Sequence, residues 1–236
     1  MKLSAPIYIL KSKAKQRKRE QGITMAQALD QIAKAEGFNS WSLLQRKAKT
    51  FLPQTKEELL KTLYPGDLLL IGARPGLGKT TLTLKLLLHA IKEHRPCFFF
   101  SLECSKPSLS QRLVELDKNF EKNASYLTLD LSDNISSEYI IHHTKDKAKP
   151  GSLIAVDYLQ LLDQQRNKPS LQQQIEQLKT YAKDKGCIFI FISQIDRAFE
   201  QENRMEPNLA DVRLPNPLTL NLFNKSFFLH NREFIS

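Results

Sequence analysis

The chain has 236 residues, is 41% hydrophobic and 25% charged, and carries a net charge of +10. This composition excludes a mostly disordered chain, and no apolar run nears the roughly 20 residues of a membrane-spanning helix. Three cysteines, Cys97, Cys104 and Cys187, are too few and too scattered for a disulfide framework or a zinc site. Residues 1–10 hold one lysine and a short apolar stretch broken by Pro6, which does not make a secretory signal. The expectation is a protein of the reducing cytoplasm with no membrane partner.

The charge is unevenly spread. Residues 1–50 hold 11 Lys and Arg against 3 Asp and Glu, a net of +8; the remaining 186 residues hold 24 against 22, a net of +2. A basic appendage on a near-neutral body points to a polyanionic partner, usually nucleic acid. The densest run holds Lys11, Lys13, Lys15, Arg17, Lys18 and Arg19 among helix formers, so a surface helix is expected there. The plainer alternative is a solvated basic tail. Thr24 and Gln27 make a capping-box pattern, and Ile23, Ala26, Leu29, Ile32 and Ala33 then recur at helical spacing up to Gly37. Ser40 can cap a further short helix with Trp41, Leu43 and Leu44, where Trp41 reads as the core residue. Residues 1–52 thus read as a small basic helical module, either docked on a larger domain or acting as a helix-turn-helix reader. Residues 53–63 read as a joint, and residues 64–236 as the main domain.

The pattern changes from Tyr64 onward. Short apolar runs at 68–71, 97–101, 126–129, 153–156 and 188–193 alternate with helical segments at 80–92, 108–116, 136–147 and 171–185. This alternation predicts an α/β domain with a mainly parallel sheet covered on both faces. Residues 227–230 offer one last strand.

Gly72, Ala73, Arg74, Pro75, Gly76, Leu77, Gly78, Lys79 and Thr80 match G-x-x-x-x-G-K-[ST] in full, followed by Thr81. The context fits: an apolar strand precedes the loop and a helix follows it. Such a loop turns its backbone amides toward phosphate oxygens at a helix N-terminus. Lys79 is then expected on the β- and γ-phosphates of ATP and the Thr80 hydroxyl on Mg²⁺. The run 153–156 ends in Asp157, a carboxylate at the C-terminal end of a buried strand, where ligands bind in open α/β sheets. Asp157 is the expected second Mg²⁺ group. Glu103, just past a strand, could align and deprotonate a water, or be a solvated loop residue. Gln194, at another strand tip, could contact the γ-phosphate, or be an edge residue. His142, His143, Lys145, Lys147 and Lys149 read as solvated surface.

Taken together and in order, Pro65-Gly66-Asp67, the glycine loop, Ser101-Leu102-Glu103, Val156-Asp157-Tyr158-Leu159-Gln160 and Ser193-Gln194-Ile195-Asp196-Arg197 resemble the ATPase core of DnaB-type replicative DNA helicases, within the RecA-like superfamily. Asp211-Val212-Arg213 and Phe228-Leu229-His230-Asn231-Arg232 are weaker echoes of later family segments. The resemblance spans about residues 60–232. It implies a RecA-like P-loop fold, Glu103 as catalytic carboxylate, Gln194 as γ-phosphate sensor, and ATP hydrolysis coupled to DNA, with single strands favoured and a homo-oligomer possible. It also implies a DNA-facing loop within about residues 199–217, near Arg197, Arg204 and Arg213. Three features depart from the family. A basic segment replaces its large N-terminal helical domain, and Cys104 replaces a usual Met. The Lys-x-Arg stretch that enters a neighbouring subunit's ATP site has no counterpart in the four residues after Arg232. The expectation is therefore an accessory or non-unwinding member, with a non-hydrolysing ATP-dependent scaffold as the alternative.

Overall fold

The computed structural model describes residues 4, 7–50, 56–163, 168–196, 207–214, 216–230 and 233–235. Arg197, Arg204 and Arg232 lie outside the described residues, as does most of the first half of the 199–217 loop. The chain divides into two compact units, Met1–Leu52 and Pro53–Ser236.

The first unit holds three helices, α1 (Ile7–Gln21), α2 (Met25–Ala35) and α3 (Trp41–Thr50). Between α1 and α2, Gly22 takes a φ of +64°. The capping box forms: the Gln27 amide donates to Thr24 Oγ1 at 3.3 Å, and the Thr24 amide donates to Gln27 Oε1 at 2.9 Å. Two otherwise orphaned donors are thereby satisfied. Helix α2 ends two residues before Gly37, whose φ of +83° lets the chain turn away. The Trp41 amide donates to Asp30 Oδ1 at 2.8 Å, which ties α3 to α2. The core consists of Leu10, Ala14, Ala28, Ile32, Ala33, Phe38, Trp41 and Leu44. Trp41 is thus a packing residue, as its place in the periodicity predicts.

The second unit is a seven-stranded sheet in the order β3-β2-β4-β5-β1-β6-β7. The strands are β1 (Leu68–Ala73), β2 (Cys97–Ser101), β3 (Leu127–Asp130), β4 (Leu153–Asp157), β5 (Ile188–Gln194), β6 (Lys225–His230) and β7 (Glu233–Ile235). The first six are parallel; β7 returns antiparallel to β6 at one edge. Every residue of β1, β2 and β4 is buried, and so are the first six of β5. Successive side chains of a strand point to opposite faces, so Phe98, Phe99 and Phe100 can all be buried only if both faces are covered. Each such ring contributes about 1.5–3 kcal/mol of transfer free energy on burial.

The connecting helices are α4 (Lys56–Thr62), α5 (Lys79–Lys92), α6 (Lys106–Leu116), α7 (Phe120–Asn123), α8 (Ser137–Thr144) and α9 (Leu171–Lys185). Helix α4 falls in the stretch read as a joint; Leu59, Leu60 and Leu63 are buried there, and α4 packs on α5. The third strand begins one residue later than its apolar run, because Tyr126 closes a 3₁₀ turn and sets its ring edge-on to His94. Strand β6 also starts two residues earlier than its apolar run. Lys225 pairs with Asp67 at 3.0 Å, and Asn224 Oδ1 accepts from the Leu68 amide at 3.0 Å, clasping β6 to β1. Phe228 lies so close to Gly72 that a Cβ there would sit 2.7 Å from its ring. The first glycine of the loop is therefore required by packing.

Candidate nucleotide site

Parallel register brings the key residues to one edge of the sheet. Ala73 lies opposite Gln194, Ser101 opposite Asp157, and Asp157 opposite Ile192. The glycine loop leaves β1, Glu103 stands two residues past β2, Asp157 ends β4 and Gln194 ends β5. All four lie at or just past the carboxyl ends of parallel strands, where open α/β sheets bind ligands.

Gly76 and Gly78 take φ values of +79° and +89°, a region side-chain-bearing residues rarely enter. Gly78 is the N-cap of α5 and supplies no side-chain cap. The first amides of α5 thus face the loop's hollow, forming a cradle for anions. Lys79 folds back over this cradle, its Nζ donating to the carbonyls of Ala73 at 2.9 Å and Arg74 at 3.0 Å. Burial lowers the Lys79 pKa, while the charges of Asp157 and Glu103 pull it upward.

Thr80 Oγ1 donates to Asp157 Oδ2 at 2.7 Å. The Asp157 residue is 1% exposed. Burial raises its carboxyl from 3.8 to about 6; the Thr80 bond lowers it, Glu103 raises it further, and Lys79 and Arg112 oppose the rise. This buried carboxylate beside a hydroxyl forms a pair of hard oxygen donors suited to a divalent cation. Glu103 is exposed and anchored through its amide, which donates to Ser101 Oγ at 3.1 Å.

The titration has a stability consequence. The folded chain holds the Asp157 proton more tightly than the unfolded chain, so this stabilisation is complete below pH 3.8 and is lost as pH rises through about 6. In metal-free solution, Asp157→Asn, which keeps an acceptor for Thr80, is expected to gain stability relative to the parent as pH rises. The readout is the difference in denaturation midpoint, and a pH-independent difference would contradict the raised carboxyl.

Two residues without an assigned role from sequence lie in the same region. Arg112, on α6, donates from its guanidinium to Thr81 Oγ1. Gln160 donates through Nε2 to Ser193 Oγ at 3.2 Å and to the Arg213 carbonyl. The Arg213 amide in turn donates to the Gln194 carbonyl at 2.8 Å, and Ile195 bridges Val212. The segment 208–213 is thus strapped to the end of β5, directly beside Gln194. Arg213 is exposed. Lys11, Lys13, Lys15, Arg17, Lys18 and Arg19 all lie on α1 of the first unit. Among the described residues no group of three or more His, Cys, Asp or Glu side chains could hold a metal, and no helix is long and apolar enough to cross a membrane.

A sequence profile of the family "DnaB-like helicase C terminal domain" matches residues 54–134 and 121–216. The replicative DNA helicase DnaB of Leifsonia xyli is 30% identical over 187 residues, covering 66% of this chain and 41% of that protein. The corresponding helicase of Mycoplasma genitalium is 28% identical over 192 residues, covering 66% of this chain and 41% of that protein. The chain therefore spans less than half the length of these curated relatives. A solved structure of a DnaB-like replicative helicase, described with its interactions with primase, superposes with a TM-score of 0.62 at 19% identity, covering 95% of this chain and 65% of the other. That likeness shows the fold alone, the α/β architecture shared with a DnaB-like helicase.

Proposed function

Since the chain belongs to the DnaB-like helicase C-terminal domain family, we propose that it binds ATP with Mg²⁺ at the carboxyl edge of its sheet and hydrolyses it while acting on DNA. The observation that supports this best is the 2.7 Å bond from Thr80 to Asp157 beside the Lys79 ammonium. It sets two hard donors and one desolvated cation against a loop of inward-facing amides. The loop from Gly72 to Thr81 cradles the phosphates, and Lys79 exchanges its two carbonyl partners for β- and γ-phosphate oxygens. Thr80 and Asp157 would hold Mg²⁺, the Asp157 carboxyl being largely ionised near neutral pH with its pKa raised to about 6. When bound, the ion spreads the charge that builds on the phosphate oxygens.

Glu103 holds a water in line with the γ-phosphorus and accepts its proton as the new P–O bond forms. The bond to the β-phosphate oxygen breaks, and ADP keeps that electron pair. Gln194 donates to the γ-phosphate and relaxes when the phosphate departs. Its carbonyl is bonded to Arg213, so this change passes to the 208–213 segment and onward to the DNA-facing loop. The work fits the reducing cytoplasm, where the three free cysteines would remain thiols.

The test is steady-state phosphate release from Mg-ATP with and without single-stranded DNA. Turnover raised by DNA supports the proposal. Tight nucleotide binding without release in either condition supports an ATP-dependent scaffold instead.

A further inference from the structure

We propose that one flank of α1 is a docking ridge for the phosphate backbone of single-stranded DNA. The proposal rests on DNA being the chain's partner and locates a further contact with it on the first unit.

Helix α1 is anchored, not a solvated tail: Leu10 and Ala14 are buried at 1% and 0% exposure in the core of the first unit. That anchoring fixes which way the remaining side chains face. At 3.6 residues per turn, Lys11, Lys15, Lys18 and Arg19 fall on the same flank, within roughly 100° of the circumference and about 12 Å of the axis. All four are exposed. The opposite flank is mixed: Lys13 and the half-buried Arg17 share it with Gln16 and Glu20, which bond to each other at 2.7 Å.

Among the described residues, none of the four ridge cations is paired with a carboxylate. Elsewhere Lys92 pairs with Asp117 at 2.7 Å and Lys225 with Asp67 at 3.0 Å. The ridge charges are therefore not used to hold the fold, and they add to one another's field. A polyanion is the complementary partner, since each neutralised phosphate also releases its condensed counterion. The one-sidedness selects a single strand. A helix seated in a duplex major groove meets a phosphate wall on each side, and Glu20 would face one of them. A flexible single strand can follow one row of cations.

The test compares the full chain with a variant bearing Lys11→Gln, Lys15→Gln, Lys18→Gln and Arg19→Gln. Glutamine keeps helix propensity close to that of Lys and Arg, and circular dichroism checks that the helices persist. A control carries Lys145→Gln, Lys147→Gln and Lys149→Gln, three exposed cations of the second unit. Anisotropy titrations use labelled oligothymidylate and a duplex at several salt concentrations, alongside Mg-ATP affinity.

Four lost contacts at about 0.7 each make the log–log salt slope shallower by about 3, and lower single-strand affinity about 10²–10³-fold at 0.1 M salt. The control should stay near the parent, and Mg-ATP affinity should stay within about threefold in all forms. Equal slopes for parent and variant overturn the ridge while leaving the nucleotide site and DNA as partner intact. Loss confined to the duplex overturns the single-strand assignment. A parent that binds no DNA overturns both the ridge and the DNA reading. A parent that shows the ridge effect but releases no phosphate overturns the ATPase reading alone.

Discussion

Lys79→Ala is expected to weaken Mg-ATP binding roughly 30- to 1,000-fold, equivalent to about 2–4 kcal/mol, the range for deleting one member of a buried charge-assisted pair. The reason lies in what the ammonium does in the free protein. It is part-desolvated and, among the described residues, hydrogen-bonded to the carbonyls of Ala73 and Arg74, with Asp157 and Glu103 acting on it through their charges. The carbonyls are neutral acceptors, weaker partners than phosphate oxygens. Nucleotide binding exchanges them for ionised ones, and alanine removes that gain. Deleting a cation whose pKa burial already lowers costs the fold little, so the variant should stay folded. The measurement is an equilibrium titration with a fluorescent ATP analogue. Unchanged affinity would remove the loop from the proposed site.

The second large effect falls on rate. Glu103→Gln is expected to slow phosphate release about 10²- to 10⁴-fold, the usual worth of a general base, while Mg-ATP affinity stays within about threefold. Glu103 is exposed and, among the described residues, anchored through its backbone amide on Ser101 Oγ, so the exchange disturbs no packing. It does remove a negative charge that acts on both Asp157 and Lys79. A modest tightening of nucleotide binding is the expected side effect. Single-turnover and steady-state phosphate release, read beside the titration, separate the two quantities. Loss of binding in place of rate would make Glu103 structural.

How much of this was legible in the sequence depends on whether the signal is local. The strands β1, β2, β4 and β5 read clearly because burial on both faces makes each a continuous apolar run, as in Phe98-Phe99-Phe100. The glycine loop read clearly because its φ values demand glycine at Gly76 and Gly78. Helix α4 lies in a stretch that reads as a joint because its polar residues mask a short apolar edge, Leu59 and Leu60, with Leu63 just past its end. Arg112 and Gln160 were illegible for another reason. Arg112 meets Thr81 across 31 positions, and Gln160 meets the Arg213 carbonyl across 53. An arginine on a helix and a glutamine after a strand look like any surface polar residue until the sheet brings their partners beside them. Strand β7 is three residues long and too short for any period to show. Gly72 was legible as a motif glycine, but its packing reason, the ring of Phe228, lies on a strand at the far end of the chain.

The most direct measurement is a crystal structure of the chain with Mg²⁺ and a non-hydrolysable ATP analogue. The expected result has Lys79 Nζ released from the carbonyls of Ala73 and Arg74 and bonded to phosphate oxygens. The Thr80 hydroxyl and Asp157 carboxylate should flank the ion, with Glu103 facing the γ-phosphate. An analogue bound elsewhere, or one bound with Lys79 still on its carbonyls and Thr80 still on Asp157, would contradict the account.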